Sequence, residues 1–179
     1  ECYFRDMPFK HGYAIFAGLE RIIDYLSNLT FSDSDIEYLR NEYNYSEEFL
    51  DYLKTYRFKG DVYAFREGTV MYPNEPIITV HAPLIDAQLV ETAILAEVNH
   101  QSLIATKTSR IVFSANGDGI MEFGLRRAQG PDAGLYGARA AMIGGCVGTS
   151  NVLAGQMFDV PVMGTHAHSW IMSFPDEYT

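Results

Sequence analysis

The chain contains 179 residues, of which 47% are hydrophobic and 20% charged, and its formal net charge at pH 7 is −10. This balance is typical of globular proteins and excludes a disordered or collagen-like chain. No run approaches the ~20 apolar residues that cross a bilayer. So large an acidic excess also disfavours general binding of nucleic acid, because that affinity rests largely on neutralising phosphates.

Two cysteines, Cys2 and Cys146, offer neither a disulfide framework nor a multi-cysteine zinc site. We therefore expect a cytoplasmic protein with no membrane or nucleic-acid partner. The sequence opens with Glu1 rather than Met, inside what already has the character of a strand. This opening predicts that the chain is a piece of a longer protein.

Composition changes near residue 100. Residues 1–100 carry 8 basic and 17 acidic side chains, whereas residues 101–150 carry 5 basic and 3 acidic ones. Of the 24 aromatic residues, 16 fall within residues 1–66, while 11 of the 15 glycines follow residue 100. We predict an acidic α+β domain over residues 1–100 and a glycine-rich domain with a locally basic site over residues 101–179.

Three helices and several strands are predicted in the first domain. Residues 13–26 show helical spacing, with an apolar stripe formed by Leu19, Ile22, Ile23 and Leu26. Ser32 and Ser46 are suitable N-caps for the next two helices. Apolar or alternating runs predict strands at residues 62–66, 70–73 and 77–82. An Ala-, Leu- and Glu-rich pattern from residue 85 to about 113 predicts one long helix that links the two domains.

The second domain alternates strand and helix patterns. Strands are expected at residues 119–125, 143–147 and 160–164, and helices at residues 131–141 and 150–157, the latter capped by Ser150. This alternation predicts parallel pairing, in a barrel or a doubly wound sheet. Polar residues follow each strand, and ligands of α/β folds bind at such strand ends. The pattern alone therefore predicts a site there.

Arg126 and Arg127 directly follow the first of these strands. Adjacent guanidinium groups can receive a carboxylate or phosphate through paired hydrogen bonds. An ordinary surface ion pair with a nearby Asp or Glu is equally compatible with the pattern. The backbone amides of Gly148, Thr149 and Ser150, before a predicted helix, form a second candidate anion site.

His166 and His168 follow the last predicted strand. An imidazole at His168 could act as a general base, a metal ligand or a nucleophile that accepts a phosphoryl group. A metal-dependent barrel hydrolase using both histidines is one alternative, although no third ligand is evident in the sequence. A non-catalytic scaffold chain is another.

Longer motifs favour one family. Residues 122–132, 148–155 and 164–170 resemble motifs of nicotinate phosphoribosyltransferases, and residues 4–9 and 12–19 resemble their N-terminal region. Residues 104–108 are also similar to the related quinolinate-using enzymes. The resemblance implies an N-terminal α+β, sandwich-like domain followed by the first strands of an irregular α/β barrel, in a homodimer.

The resemblance also implies a reaction. Nicotinate and 5-phosphoribosyl 1-diphosphate would give nicotinate mononucleotide and diphosphate, the first step of NAD salvage from nicotinate. Hydrolysis of ATP, as a co-substrate, would be coupled to this step, and Mg²⁺ would be required. Because family members are more than twice as long, we expect this chain alone to be inactive.

Roles are carried over position by position. His168 resembles the catalytic histidine that ATP phosphorylates. The positions expected to line the substrate pocket or to neighbour that histidine are Leu125, Arg126, Gly164, Thr165 and Ser169.

Overall fold

Short strands alternate with helices through residues 1–176, which are the residues that the computed structural model describes. Their contacts divide the chain into an N-terminal unit, Glu1–Ser102, and a C-terminal unit that begins at Leu103. The mixed α/β architecture confirms the class predicted from the sequence. Within the described residues, no helix combines the length and the apolar character needed to span a membrane.

Three short helices lie in the N-terminal unit: α1 (Leu19–Asn28), α2 (Asp33–Glu42) and α3 (Glu47–Lys54). The serine caps predicted for α2 and α3 are confirmed. Ser32 and Asp35 form a reciprocal capping box, in which each side chain accepts from the other residue's backbone N–H. The Ser46 hydroxyl accepts from the backbone N–H of Phe49 at 3.3 Å. These bonds satisfy amide groups that have no partner within a helix.

The helix predicted from residue 13 begins instead at Leu19. Strand β1 (Ala14–Ile15) pairs antiparallel with β3 (Val70–Met71), so its backbone is extended. Gly18 then reverses the chain with a φ of 111°, a region that glycine occupies without steric cost. The Glu67 carboxylate accepts from the amides of Gly18 and Leu19 at 2.6 and 3.0 Å. The helix therefore starts where a distant side chain caps it.

A second antiparallel ribbon pairs β2 (Asp61–Ala64) with β4 (Ile78–His81), and Cys2 adds an isolated bridge to Ile78. The predicted α1 stripe is largely buried, but Ile23 is 52% exposed and does not belong to the core. The core of this unit includes the fully buried Phe16, Ile22, Met71, Ile77, Ile78 and Val90.

The long helix α4 (Leu84–Ser114) confirms the prediction of a continuous helix from residue 85 to about 113. Its N-terminal part belongs to the first unit, where the Ser102 hydroxyl donates to the carbonyl of Ala17 and accepts from its N–H, both at 3.1 Å. Ser102, near the middle of α4, is thereby joined to the segment between β1 and α1.

The C-terminal unit continues with β5 (Met121–Glu122), α5 (Pro131–Ile143), β6 (Gly148–Thr149), α6 (Val152–Phe158) and α7 (His168–Ile171). β5 and β6 pair in parallel, and a further parallel bridge joins Thr149 to Val162. The parallel pairing predicted from the βα alternation is confirmed, and β6 is central to the three segments.

Several predicted boundaries in this unit are wrong. The strand expected at residues 143–147 lies at Gly148–Thr149, because α5 extends to Ile143 and a glycine turn follows. The strand expected at residues 119–125 is confined to β5. The strand expected at residues 160–164 is reduced to the bridge at Val162. Asn151 rather than Ser150 caps α6, accepting from the N–H of Ala154 at 3.2 Å.

Candidate active site

A cleft of about 610 Å³ opens in the C-terminal unit, next to the ends of β5 and β6. One wall comes from the 3₁₀ turn Leu125–Arg127, and the facing wall from residues around Val162. Ser150 also lines it. Of the residues to which the family resemblance assigned a role, four line this cleft: Leu125, Arg126, Gly164 and Thr165.

His168 and Ser169 are not among the cleft's lining residues. They form the first turn of α7, three and four residues after Thr165, and both are exposed. His166 is exposed in the same segment. The structure thus places the predicted pocket residues together and the predicted phosphorylated histidine beside them in the chain, with its imidazole open to solvent.

Arg126 and Arg127 lie in the 3₁₀ turn, which two residues separate from the observed end of β5, and both are exposed. Neither guanidinium forms an ion pair within residues 1–176. Among these residues the structure therefore shows no local ion pair of the kind that the alternative requires. Exposed guanidinium groups beside a cleft are chemically suited to a carboxylate or phosphate.

Helix α5 packs against the turn Leu125–Arg127. A methyl group added to Gly134 would collide with the Cδ1 atom of Leu125, so the absence of a side chain lets helix and turn approach closely. Gly124, which precedes the turn, accepts from the N–H of Arg127 at 2.8 Å through its carbonyl. These contacts fix the backbone that carries Arg126 at the rim of the cleft.

Glu122 is a residue of this site that the sequence interpretation did not single out. Its carboxylate accepts from the Thr149 hydroxyl at 2.6 Å and from the backbone N–H of Gly124. Its carbonyl accepts from the N–H of Ser150 at 3.0 Å. Its place at the start of the motif at residues 122–132, four residues before Arg126, was the signal that could have marked it.

The anion site expected at the amides of Gly148, Thr149 and Ser150 is not available as predicted. The Thr149 amide donates to the carbonyl of Pro161 at 3.0 Å, and the Ser150 amide donates to Glu122. The Glu122 carboxylate also places negative charge on the adjacent hydroxyl. Positive charge at the cleft comes instead from the arginine turn.

Cys146 lies near this network but is not suited to act as a nucleophile. Burial, and secondly the Glu122 carboxylate, raise the pKa of the Cys146 thiol above its ordinary value. The thiol therefore remains protonated at neutral pH, whereas the thiolate is the reactive species.

The histidines do not assemble a metal centre in the part of the chain that the structure describes. Among residues 1–176, no three His, Cys, Asp or Glu side chains are grouped so that they could hold a metal ion. A hydrolase using His166 and His168 would need at least three protein ligands for its metal. The geometry therefore does not favour that alternative.

Comparison with known families accounts for both units. Residues 1–99 match the model of the nicotinate phosphoribosyltransferase N-terminal domain, and residues 119–176 match the nicotinate phosphoribosyltransferase family model. The chain belongs to the nicotinate phosphoribosyltransferase family. The resemblance found in its motifs is confirmed.

Relatives in this family come from bacteria and animals. The chain is 52% identical to nicotinate phosphoribosyltransferase of Bacillus subtilis over all 179 of its residues, which cover 36% of that protein. It is 44% identical to the Caenorhabditis elegans protein of the same name, over 97% of this chain and 32% of the relative. The chain thus spans about a third of the length of the curated relatives it matches.

The fold also agrees with a solved nicotinate phosphoribosyltransferase family structure. The crystal structure of human nicotinic acid phosphoribosyltransferase superposes with a TM-score of 0.89 at 38% identity, over 96% of this chain and 35% of that one. The fold class implied by the resemblance is confirmed by this match.

Proposed function

We propose that this chain supplies part of a nicotinate phosphoribosyltransferase, which joins nicotinate to 5-phosphoribosyl 1-diphosphate and releases nicotinate mononucleotide and diphosphate. The observation that carries the proposal is the match of two successive family models to the two units of the chain. In this role the protein would perform the first step of NAD salvage from nicotinate, as a ligase or glycosyltransferase type of enzyme.

The cleft has the chemistry that these substrates require. Nicotinate is a flat ring bearing a carboxylate, and the sugar donor carries a phosphate and a diphosphate. Arg126 could receive such an anion through paired hydrogen bonds, while Leu125 offers an apolar contact to the ring. Gly164 and Thr165 line the facing wall, where a small residue and a hydroxyl leave room for a polar substrate.

We assign ATP coupling to His168. An imidazole nitrogen would attack the γ-phosphorus of ATP, forming a P–N bond while the bond to the β-phosphate oxygen breaks and ADP leaves; the ring N–H proton passes to solvent. Water would later break the P–N bond and release phosphate. The exposed position of His168 supports its access to a phosphoryl donor.

Mg²⁺ has no protein-ligand cluster among the residues described. This ion commonly binds through substrate phosphates while keeping several waters, so the phosphates of the sugar donor would hold it in this protein. A homodimer and a cytoplasmic location are also part of the proposal. Two buried, unpaired cysteines are compatible with a reducing compartment. Analytical ultracentrifugation would test the dimer.

A chimera tests the activity, because this chain aligns along its whole length with a segment of the Bacillus subtilis relative. The chain replaces that segment, and nicotinate mononucleotide is measured with the unmodified relative as control. We expect formation of the mononucleotide, dependent on 5-phosphoribosyl 1-diphosphate. Absence of product from a folded chimera would contradict the proposal. The 179-residue chain alone should give no product.

Replacing His168 with Asn in the chimera tests the phosphorylation role. We expect loss of nicotinate-dependent ADP release, by a factor of at least 100, and loss of acid-labile phosphate from the protein. His166→Asn is the matched control, because His166 is exposed in the same segment and should retain coupling. Unchanged stoichiometry of ATP in the His168→Asn chimera would refute the assignment.

A further inference from the structure

The Glu122 carboxylate connects the two walls of the cleft. On one side its Oε1 atom accepts from the backbone N–H of Gly124, which opens the turn that carries Arg126. On the other side its Oε2 atom accepts from the hydroxyl of Thr149 at 2.6 Å, 27 residues away in sequence. One side chain thus joins the end of β5 to the end of β6.

Thr149 extends this connection to the facing wall. Its side chain is fully buried. Its amide donates to the carbonyl of Pro161 at 3.0 Å, and its carbonyl accepts from the N–H of Met163 at 2.9 Å. Its hydroxyl also accepts from the N–H of Asn151 at 3.1 Å, and Asn151 in turn caps α6. Each displacement of Thr149 would therefore move the segment that leads to Gly164 and Thr165.

A carboxylate is the group that this position requires. Both neighbours, an amide N–H and a hydroxyl, are donors here, and an ionised carboxylate accepts through two oxygens at once. Hydrogen bonds to a charged acceptor are also shorter and stronger than neutral ones. An apolar residue would leave the buried Thr149 hydroxyl without its acceptor.

We propose that Glu122 is a positioning residue, which holds the Leu125–Arg127 turn and the Thr149–Thr165 wall at the separation that substrate binding requires. This inference rests on the proposed function for the nature of the substrate. The hydrogen bonds by which Glu122 joins the two walls do not depend on the identity of the substrate. Glu122 does not line the cleft, so it acts through its neighbours and not by contact with the reacting atoms.

Kinetics of the chimera provide the first test. Glu122→Ala is expected to lower kcat/KM for nicotinate on the order of 10- to 100-fold, because misplacement of about 1 Å can cost that much, and the larger part of the change should be in KM. A variant that only unfolded would lower the active concentration and hence the apparent kcat, leaving KM unchanged. Asp118→Ala is the matched control, since Asp118 is an exposed carboxylate of the same unit outside the network.

Three further variants separate position from charge. Glu122→Gln keeps the length but only one acceptor oxygen, so its KM should lie between those of the parent and of Glu122→Ala. Gly124→Ala adds a methyl group 2.7 Å from Oε1 of Glu122 and should reproduce the effect of Glu122→Ala. Thr149→Val removes the hydroxyl, and its effect should not add to that of Glu122→Ala, as in a coupled double-mutant cycle.

Hydrogen exchange of the 179-residue chain, rather than of the chimera, tests the hydrogen bond between Glu122 and Gly124 without a measurement of activity. The Gly124 amide should exchange at least tenfold faster in Glu122→Ala than in the parent, while α5 amides remain unchanged. A protected Gly124 amide in that variant would overturn the inference even if the chimera is active. An inactive parent chimera would contradict the proposed function, yet loss of Gly124 protection would still support the positioning role. Equal loss of kcat in Glu122→Gln and Glu122→Ala, with KM unchanged and both variants folded by circular dichroism, would assign Glu122 to chemistry instead.

Discussion

The two units of the chain are stabilised by opposite means. The N-terminal unit buries large side chains, and ten of the twelve largest fully buried residues belong to it, among them Tyr56, Phe16 and Ile22. The remaining two, Thr106 and Thr149, are the only ones from the C-terminal unit. Apart from Leu135, the buried apolar residues described in that unit are small, mainly alanines of α5 and α6.

This difference shows where each unit can tolerate change. Large buried side chains stabilise through the apolar area removed from water, so the first unit is sensitive to loss of volume. Glycine and alanine contacts stabilise by close approach of backbones, so the second unit is sensitive to added volume. The close approach also serves the cleft, because Gly134 and Gly148 leave space for the segments that form its walls.

The largest effect should come from truncating the core of the first unit. Phe16 is fully buried, and Phe16→Ala should lower the free energy of unfolding of this unit by about 3–5 kcal/mol, because lost burial and a residual cavity add together. Native-state hydrogen exchange of α1 amides would measure it. Tyr63→Ala, at an aromatic residue of the same unit that is 64% exposed, is the control and should change stability little. Similar costs for the two variants would show that burial of large side chains is not what stabilises the first unit.

Added volume in the second unit should have the next largest effect. Gly144→Ala should cost about 1–3 kcal/mol, because the new methyl group would lie 2.6 Å from the Ala105 carbonyl and 2.7 Å from Thr108. The φ of Gly144 is −72°, which alanine adopts freely, so the backbone itself would favour alanine. A destabilisation can therefore only come from the contacts.

Hydrogen exchange of α5 amides measures this change. Gly164→Ala is the control, since nothing lies within 4 Å of the added atom. We expect no destabilisation there. A stabilised Gly144→Ala variant would mean that the contact of Gly144 with α4 leaves room for a methyl group. The second unit would then not be sensitive to added volume.

Local sequence signals predicted much of the fold. The Ala-, Leu- and Glu-rich pattern located α4 to within one residue at each end, and the serines at residues 32 and 46 located two helix starts. Both signals act over a few neighbouring residues. The start of α1 was missed because it depends on a strand partner at Val70–Met71 and on a cap from Glu67. Neither interaction can be recognised from the sequence of residues 13–19 themselves.

The site was predicted in outline for a similar reason. Polar residues after strands indicated the cleft and its arginine turn, since strand ends share an edge in parallel sheets. The use of the Thr149 and Ser150 amides within the fold was not predictable, because their acceptors come from distant segments. The same holds for Glu122, whose partner Thr149 lies 27 residues away. Long-range hydrogen bonds, and not residue types, decided these outcomes.

The smallest effect concerns charged side chains. Several of those on the surface of the first unit form ion pairs, whereas within residues 1–176 the arginines of the turn form none. Hydrogen bonds from the side chain and backbone of Ser32 lower the pKa of Asp35 below its ordinary value. A carboxyl whose folded pKa is lowered contributes stability above its unfolded pKa and loses it as pH falls through the folded pKa. Ser32→Ala should cost about 1 kcal/mol at neutral pH.

That cost should shrink as pH falls through the folded pKa of Asp35, because protonation removes the charged acceptor from the parent as well. Ser46→Ala is the matched control, since its hydroxyl caps α3 without a reciprocal carboxylate at residue 49. Its cost should change little over the same range, from neutral pH to below the ordinary pKa of Asp. Urea unfolding of both variants across that range measures the difference. Parallel pH profiles would show that the capping box adds no ionic component to the stability of the first unit.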